Sequence, residues 1–254
     1  MARKKCRNGK SQEIDRLTRA IELNGAAIQE GPKRKQWSLQ DIKSIQALTP
    51  AQEDAFYSWR NDQNICLYGS AGTGKTFLAI YLALQEVLAK QQSRIIIVRS
   101  AVPTREVGFL PGTLEEKMAQ YELPYHDIFH ELLGKRSSYQ DMKDAGIVEF
   151  MSTSFIRGLT WDNAIVIIEE AENMTFHEID SVITRTGENT RVVFSGDIKQ
   201  TDLDGSKRQG ASGMQEALKI MCGMDEFDCI QFTKHDIVRG PLVKSWIEAS
   251  EEVT

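Results

Sequence analysis

The segment Gly69-Ser70-Ala71-Gly72-Thr73-Gly74-Lys75-Thr76 constrains this 254-residue chain more than any other. Gly69, Gly72 and Gly74 permit backbone conformations and close approaches that a side chain would block, so successive N–H groups can converge on an anion. The run before it, Ile65-Cys66-Leu67-Tyr68, is short and apolar like a buried strand. The run after it, Lys75 to Leu88, places Leu78, Tyr81, Leu82 and Val87 at helical intervals. A glycine loop between strand and helix sets a phosphate at a helix N-terminus. The pattern is therefore a phosphate-binding loop running from Gly69 through Ser70, Ala71 and Thr73 to Phe77. Lys75 reaches the β- and γ-phosphates, and the Thr76 hydroxyl ligates Mg²⁺.

From Leu48 onward, strand and helix patterns alternate. Thr49 and Pro50 read as N-cap and first turn of a helix bearing Ala51, Ala55, Phe56 and Trp59. The runs Ile95–Val98, Ile147–Met151, Ala164–Ile168, Val192–Ser195 and Cys229–Phe232 are short, apolar and often β-branched, as strands buried on both faces are. Helical stretches lie between several of them, including Met174 to Arg185 and Ser212 to Met221. This predicts a three-layer α/β domain with a mostly parallel sheet. The four cysteines lack C-x-x-C spacing, and Cys66 and Cys229 fall in strand-like runs, so reduced thiols are expected rather than disulfides or a zinc site.

Charge divides the chain. Residues 1–48 hold eleven Lys or Arg against five Asp or Glu, net +6, which leaves −11 for the rest of a chain with net charge −5. A basic segment of residues 1–47 ahead of an acidic domain of residues 48–254 reads either as an arm that reaches phosphate backbones or as a solvated tail. Within it, Lys33-Arg34-Lys35-Gln36-Trp37 suits a stacked base, or a tail anchored by Trp37 in a groove. No apolar run approaches eighteen residues, and nothing apolar follows the basic N-terminus, so neither a membrane span nor a secretory signal is expected and a cytoplasmic location is.

Two further strand ends carry chemistry. Ile165-Val166-Ile167-Ile168 runs into Glu169-Glu170, and the carboxyl end of a parallel strand faces the ligand crevice. Glu169 is placed to hold Mg²⁺, and Glu170 to orient and deprotonate the attacking water. After Arg191–Ser195 comes Gly196-Asp197-Ile198-Lys199-Gln200, a Gly-Asp-x-x-Gln pattern that resembles a superfamily 1 helicase motif whose Asp and Gln sense the γ-phosphate. Gln52, upstream of the glycine loop, resembles the helicase glutamine that reads adenine. Its amide offers the donor and acceptor that N6 and N7 require, which points to ATP.

Taken together, residues 48–250 resemble the PhoH family of ATPases, most of all its phage-borne members. The likeness is carried by LTPAQEDAF (48–56), YGSAGTGKTFLA (68–79), IIIVRSAVPTREVGFLPGTLEEKM (95–118), IVIIEEAENMTFHEI (165–179), FSGDIKQTDL (194–203) and FTKHDIVRGPLVKSWI (232–247). The resemblance implies a RecA-like core of superfamily 1 helicase type, ATP hydrolysis and a role on RNA or single-stranded DNA, in the host cytoplasm if phage-encoded. It departs at Glu169, where the family usually has Asp, and at Ile198 and Lys199, where many members carry Pro.

Arg99 and Arg105, in the stretch after the second strand, occupy the helicase position that touches single-stranded nucleic acid, or else pair with neighbouring acids. In His235-Asp236-Ile237-Val238-Arg239, Arg239 is the candidate arginine finger. The 206 residues after Leu48 (254 less 48) make only one RecA-like domain. The second wall of the nucleotide site is then expected from another copy, in a ring, a hexamer, with Arg239 reaching the neighbour's ATP. Two functions fit: a motor on RNA or single-stranded DNA, and a nucleotide-dependent switch or assembly ATPase acting on a protein partner.

Overall fold

The computed structural model describes residues 37–100, 114–197 and 213–253. Six strands are found: β1 (Asn64–Gly69), β2 (Arg94–Arg99), β3 (Val148–Ser152), β4 (Ala164–Glu169), β5 (Arg191–Gly196) and β6 (Phe227–Phe232). Each contains all or nearly all of the apolar run that predicts it, extended by polar residues at its ends. All five pairings are parallel, in the order β3-β2-β4-β5-β1-β6. Every carboxyl end therefore opens on the same edge, as parallel strands require of a common binding crevice.

Helices α1 (Pro50–Arg60), α2 (Lys75–Leu88), α3 (Leu114–Leu133), α4 (Ser138–Asp144), α5 (Phe176–Ile183), α6 (Met214–Met221) and α7 (Pro241–Val253) fill the connections. Thr49 caps α1, its hydroxyl accepting from the Gln52 N–H, with Pro50 in the first turn as its sequence predicts. α5 begins at a Thr175/Glu178 capping box.

Two apolar clusters flank the sheet. One joins Ile65, Leu67, Ile95, Ile97, Ile165 and Ile167 to α1, α2, α3 and α4; the other joins Cys66, Ile96, Val98, Val166, Ile168 and Phe194 to α5 and α6. Alternate residues of the same strands go to opposite clusters, which is the three-layer arrangement the sequence predicts.

The sequence boundary at residue 48 shifts. Trp37 is buried in the first cluster, with Ile42, Ile45 and Ala47 packed against it. The Lys43 N–H donates to the Leu132 carbonyl, and the Ile45 N–H to the Tyr81 hydroxyl. Residues 37–47 thus belong to the α/β body, with Trp37 anchored in the core rather than displayed for a base. Residues 1–36 lie outside the described residues. Among the described residues no helix is long and apolar enough to cross a membrane.

Candidate nucleotide site

The glycine loop joins β1 to α2 at the carboxyl edge. Gly69 (φ 120°), Gly72 (φ 72°) and Gly74 (φ 85°) all take left-handed backbone, and a Cβ on Gly69 would stand 2.0 Å from the Phe232 carbonyl oxygen. The loop is backed by the chain that leaves β6. The Ser70 N–H donates to the Phe232 carbonyl at 2.9 Å, and the Val238 N–H to the Gly72 carbonyl at 3.1 Å. On the other side the Gln52 side chain ties α1 to the loop, its Nε2 donating to the Thr73 carbonyl and its Oε1 accepting from the Leu48 N–H. Thr73 is fully buried, its hydroxyl donating to the Ser70 carbonyl. The first intrahelical bond of α2 is Leu78 N–H to the Gly74 carbonyl, so the N–H groups of Lys75, Thr76 and Phe77 precede the ladder, as at a helix N-terminus suited to an anion. The Phe77 ring itself packs on the core.

Lys75 Nζ donates to the Gly69 and Ser70 carbonyls, each at 2.8 Å. Burial lowers its pKa, against the pull of Asp197, Glu172 and Glu169. The Thr76 hydroxyl donates to Glu169 Oε2 at 2.8 Å, so the loop and the end of β4 meet. Glu169 is 3% exposed, and its other oxygen, Oε1, has no hydrogen-bond partner among the described residues. Burial pushes this carboxyl up to about 7, against the Thr76 and Ser195 hydroxyls. A buried carboxylate with one orphaned oxygen, beside a hydroxyl, is an incomplete set of hard oxygen donors that fits Mg²⁺. The extra methylene of Glu169 is thereby accommodated, since this side chain reaches Thr76 directly.

Glu170, the residue after β4, takes a left-handed conformation (φ 50°, ψ 47°). For a residue with a Cβ that costs about 1–2 kcal/mol. Its Oε2 accepts from the Arg99 guanidinium and, at 3.4 Å, from Asn173 Nδ2. A part-exposed ion pair repays about 0–1 kcal/mol, so stability alone does not account for the strain. Arg99 ends β2 in register with Glu169. Instead of an open phosphate contact, it is a neighbour of the candidate base.

Asp197 follows β5, which lies between β1 and β4, and is buried at 5% exposure. Its N–H donates to Glu172 Oε2 at 3.0 Å. A Cβ on Gly196 would lie 2.9 Å from that same oxygen and 2.8 Å from Met214 Sδ, so a larger residue here would push the Glu172 and Met214 side chains aside. Glu172 is a third carboxyl at this edge, pushed up to about 7 chiefly by burial. Sequence reasoning misses it, although it stands three residues beyond Glu169. It also misses Glu178, which accepts from the Thr175 N–H and from the Ser100, Thr153 and Thr175 hydroxyls and joins the ends of β2 and β3 to α5. Burial raises that carboxyl, but these donors together hold it below its ordinary value.

Arg239 is exposed, and a Cβ on Gly72 would lie 3.1 Å from its Cγ. Its stem therefore rests over the glycine loop of its own chain, whereas the sequence expectation sends it to a neighbour's. The chain leaving β6 turns back across the loop through the Val238–Gly72 bond, which sequence spacing does not reveal. Gln200 and Arg105 lie outside the described residues.

These parts make a P-loop NTPase-type site, and comparison with known proteins names its lineage. The sequence profile of the PhoH-like proteins matches residues 44–251, most of the chain. This chain belongs to the PhoH-like protein family. A PhoH-like protein of Bacillus subtilis is 35% identical over 211 residues, covering 83% of this chain and 65% of the relative. Protein PhoH of Escherichia coli K12 is 33% identical over 250 residues, covering 97% of this chain and 68% of the relative. The matched part thus falls short of two thirds of the Bacillus relative's length. The solved Sulfolobus solfataricus SWI2/SNF2 ATPase core in complex with double-stranded DNA is similar at a TM-score of 0.41 and 14% identity, over 79% of this chain and 46% of that one.

Proposed function

We propose that this PhoH-like protein hydrolyses ATP and couples the hydrolysis to binding and remodelling or unwinding of RNA or single-stranded DNA. The observation that carries the ATPase reading is the Thr76–Glu169 hydrogen bond, which brings the loop hydroxyl and the strand-end carboxylate together beside Lys75. Thr76 and Glu169 would hold Mg²⁺, which when bound neutralises charge on the β- and γ-phosphates. The loop N–H groups and Lys75 orient the phosphates. Glu170 takes the proton of the attacking water, as its position one residue beyond Glu169 at the crevice supports. Asp197, held at the end of β5 by Glu172, is the γ-phosphate sensor, with Gln200 its expected companion. Gln52 retains one N–H and one acceptor lone pair for adenine beyond the two it spends on the protein. Arg239, resting on its own chain's loop, is assigned to the phosphates of its own site.

A homo-oligomeric ring, a hexamer, supplies the second wall that one such domain lacks. The exposed Leu242, Val243 and Trp246 of α7 give it an apolar contact next to the glycine loop. The same face supports the second reading, a nucleotide-dependent switch or assembly ATPase that docks a protein partner without translocating. ATP turnover measured with and without poly-U and single-stranded DNA, across a salt series, separates the two. The motor reading expects stimulation that falls steeply with salt. Turnover indifferent to either polymer favours the switch, and absence of turnover refutes both.

A further inference from the structure

Arg99 makes more contacts than a strand-reading arginine can spare. Its side chain is 18% exposed, with its guanidinium carbon 5.1 Å from the centroid of the Tyr121 ring. It also lies close enough to the buried Tyr125 to act on its hydroxyl electrostatically, and it pairs with Glu170. A phosphate contact needs the planar fork turned to solvent. Here the fork is turned inward, along the edge of the sheet.

The pair is specific about which atom it occupies. Among the described residues both donors to Glu170, Arg99 and Asn173 Nδ2, fall on Oε2. Oε1 is the oxygen left to receive a proton from water. Glu170 has three rotatable side-chain bonds and 39% side-chain exposure, so without this hold its carboxylate would sample several rotamers. The register of β2 on β4 fixes the guanidinium beside it, since Arg99 stands directly across from Glu169. The left-handed turn at Glu170 carries its carboxylate to the Arg99 fork at the cost of backbone strain.

We propose that Arg99 is a positioning residue for Glu170, holding Oε2 so that Oε1 faces the attacking water, and is not a contact to nucleic acid. The proposal rests on Glu170 being the general base of an ATPase. Arg99 acts through geometry: a base misplaced by about 1 Å loses on the order of 100-fold in rate.

The test is a kinetic cycle on the full chain with wild type, Arg99→Ala, Arg99→Lys, Glu170→Gln and the Arg99→Ala/Glu170→Gln double variant, alongside poly-U binding at several salt concentrations. Arg99→Ala is expected to lower kcat roughly 10- to 100-fold with KM for ATP within about twofold, as loss of an orienting partner does. Arg99→Lys, which keeps the charge and the fold if alanine does not, should recover part of that loss. In the Glu170→Gln background Arg99→Ala should cost nothing further, because the group it positions is already gone. Poly-U affinity and its salt dependence should match wild type.

Independent, multiplying losses in the double variant would overturn the proposal. So would intact kcat combined with weaker poly-U binding and a salt slope reduced by about one, which would return Arg99 to the strand. A rise in kcat on removing Arg99 would make it a restraint on the base instead, and would also overturn it. A wild-type chain with no turnover would remove the ATPase reading itself, an outcome distinct from failure of the cycle in an active enzyme.

Discussion

Arg191 opens β5 at the amino end of the sheet; Lys75 stands at the carboxyl end, one loop beyond β1. Arg191 lies 3.4 Å over the Trp59 ring, pairs with Glu86 at 3.0 Å, and donates to the Trp59 and Gln63 carbonyls at 2.8 and 2.9 Å. Its charge is spent on structure. Among the described residues Lys75 has only the two carbonyls of its own loop as hydrogen-bond partners, while Glu169 keeps an orphaned oxygen, Glu172 is held near pH 7 and Glu170 is strained. Polar groups at the amino end mostly serve the fold, although the buried Arg191 Nε and Trp59 Nε1 have no hydrogen-bond partner among the described residues. At the other they are assembled for a ligand, and part of the stability gained at the first end offsets the cost at the second.

That contrast can be broken by exchanging the effects. The largest expected change is at the carboxyl end: Glu170→Gln should lower turnover by about 10³-fold, within the range of general-base loss, yet leave the melting temperature within a degree or two. Steady-state kinetics with a thermal melt would check this, and a wild-type rate would remove Glu170 from the mechanism. At the amino end the expectation inverts. Arg191→Ala should cost about 3 kcal/mol, since it strips a buried ion pair and strands two carbonyls. For a body of this size that is roughly 6–12 °C in Tm. ATP binding by the folded fraction should persist, as fluorescent-nucleotide titration would reveal.

The smallest expected effect concerns pH. The Glu172 carboxyl sits at about 7 against an ordinary 4.5, so between those values the folded protein binds more protons than the unfolded chain. Stability attributable to this group is therefore present below 4.5 and lost as pH rises through 7. Glu172→Gln keeps the acceptor for the Asp197 N–H but removes the titration. The variant should match wild type at pH 4.5 and exceed it at pH 8 by at most about 3 kcal/mol, at roughly 1.4 kcal/mol per pH unit. Chemical denaturation at the two pH values decides it; parallel curves would mean that Glu172 is solvated.

The central strands β2, β4 and β5 are the most legible in the sequence, because burial on both faces leaves near-continuous β-branched runs, whereas the edge strands β3 and β6 carry one β-branched residue each. α3 is harder to read, with Pro124 inside it and buried Glu122 interrupting its apolar face. Glu122 is accounted for only in three dimensions, by the Tyr139 hydroxyl and Lys143. Trp37 is hidden similarly, as an aromatic beside Lys33-Arg34-Lys35 that is buried near the end of α2 and Ile147, both remote in sequence. In the site, loop and carboxylates are readable because strand ends carry them at fixed offsets. The bracing by Gln52, the Glu172–Asp197 bond and the rest of Arg239 on Gly72 are contacts between segments remote in sequence, which no local spacing encodes.

The backing of the glycine loop by Phe232 and Val238 also sets a timetable. A ribosome finishes Gly69–Thr76 more than 150 residues before the carbonyl that receives the Ser70 N–H exists. On the nascent chain the loop has α1 on one side and no second support. Folding that waits on contacts this distant in sequence is slow. The phosphate cradle is thus among the last parts of the domain to be finished, and a chain interrupted before Phe232 would carry the signature motif in its sequence without the capacity to close it around a nucleotide.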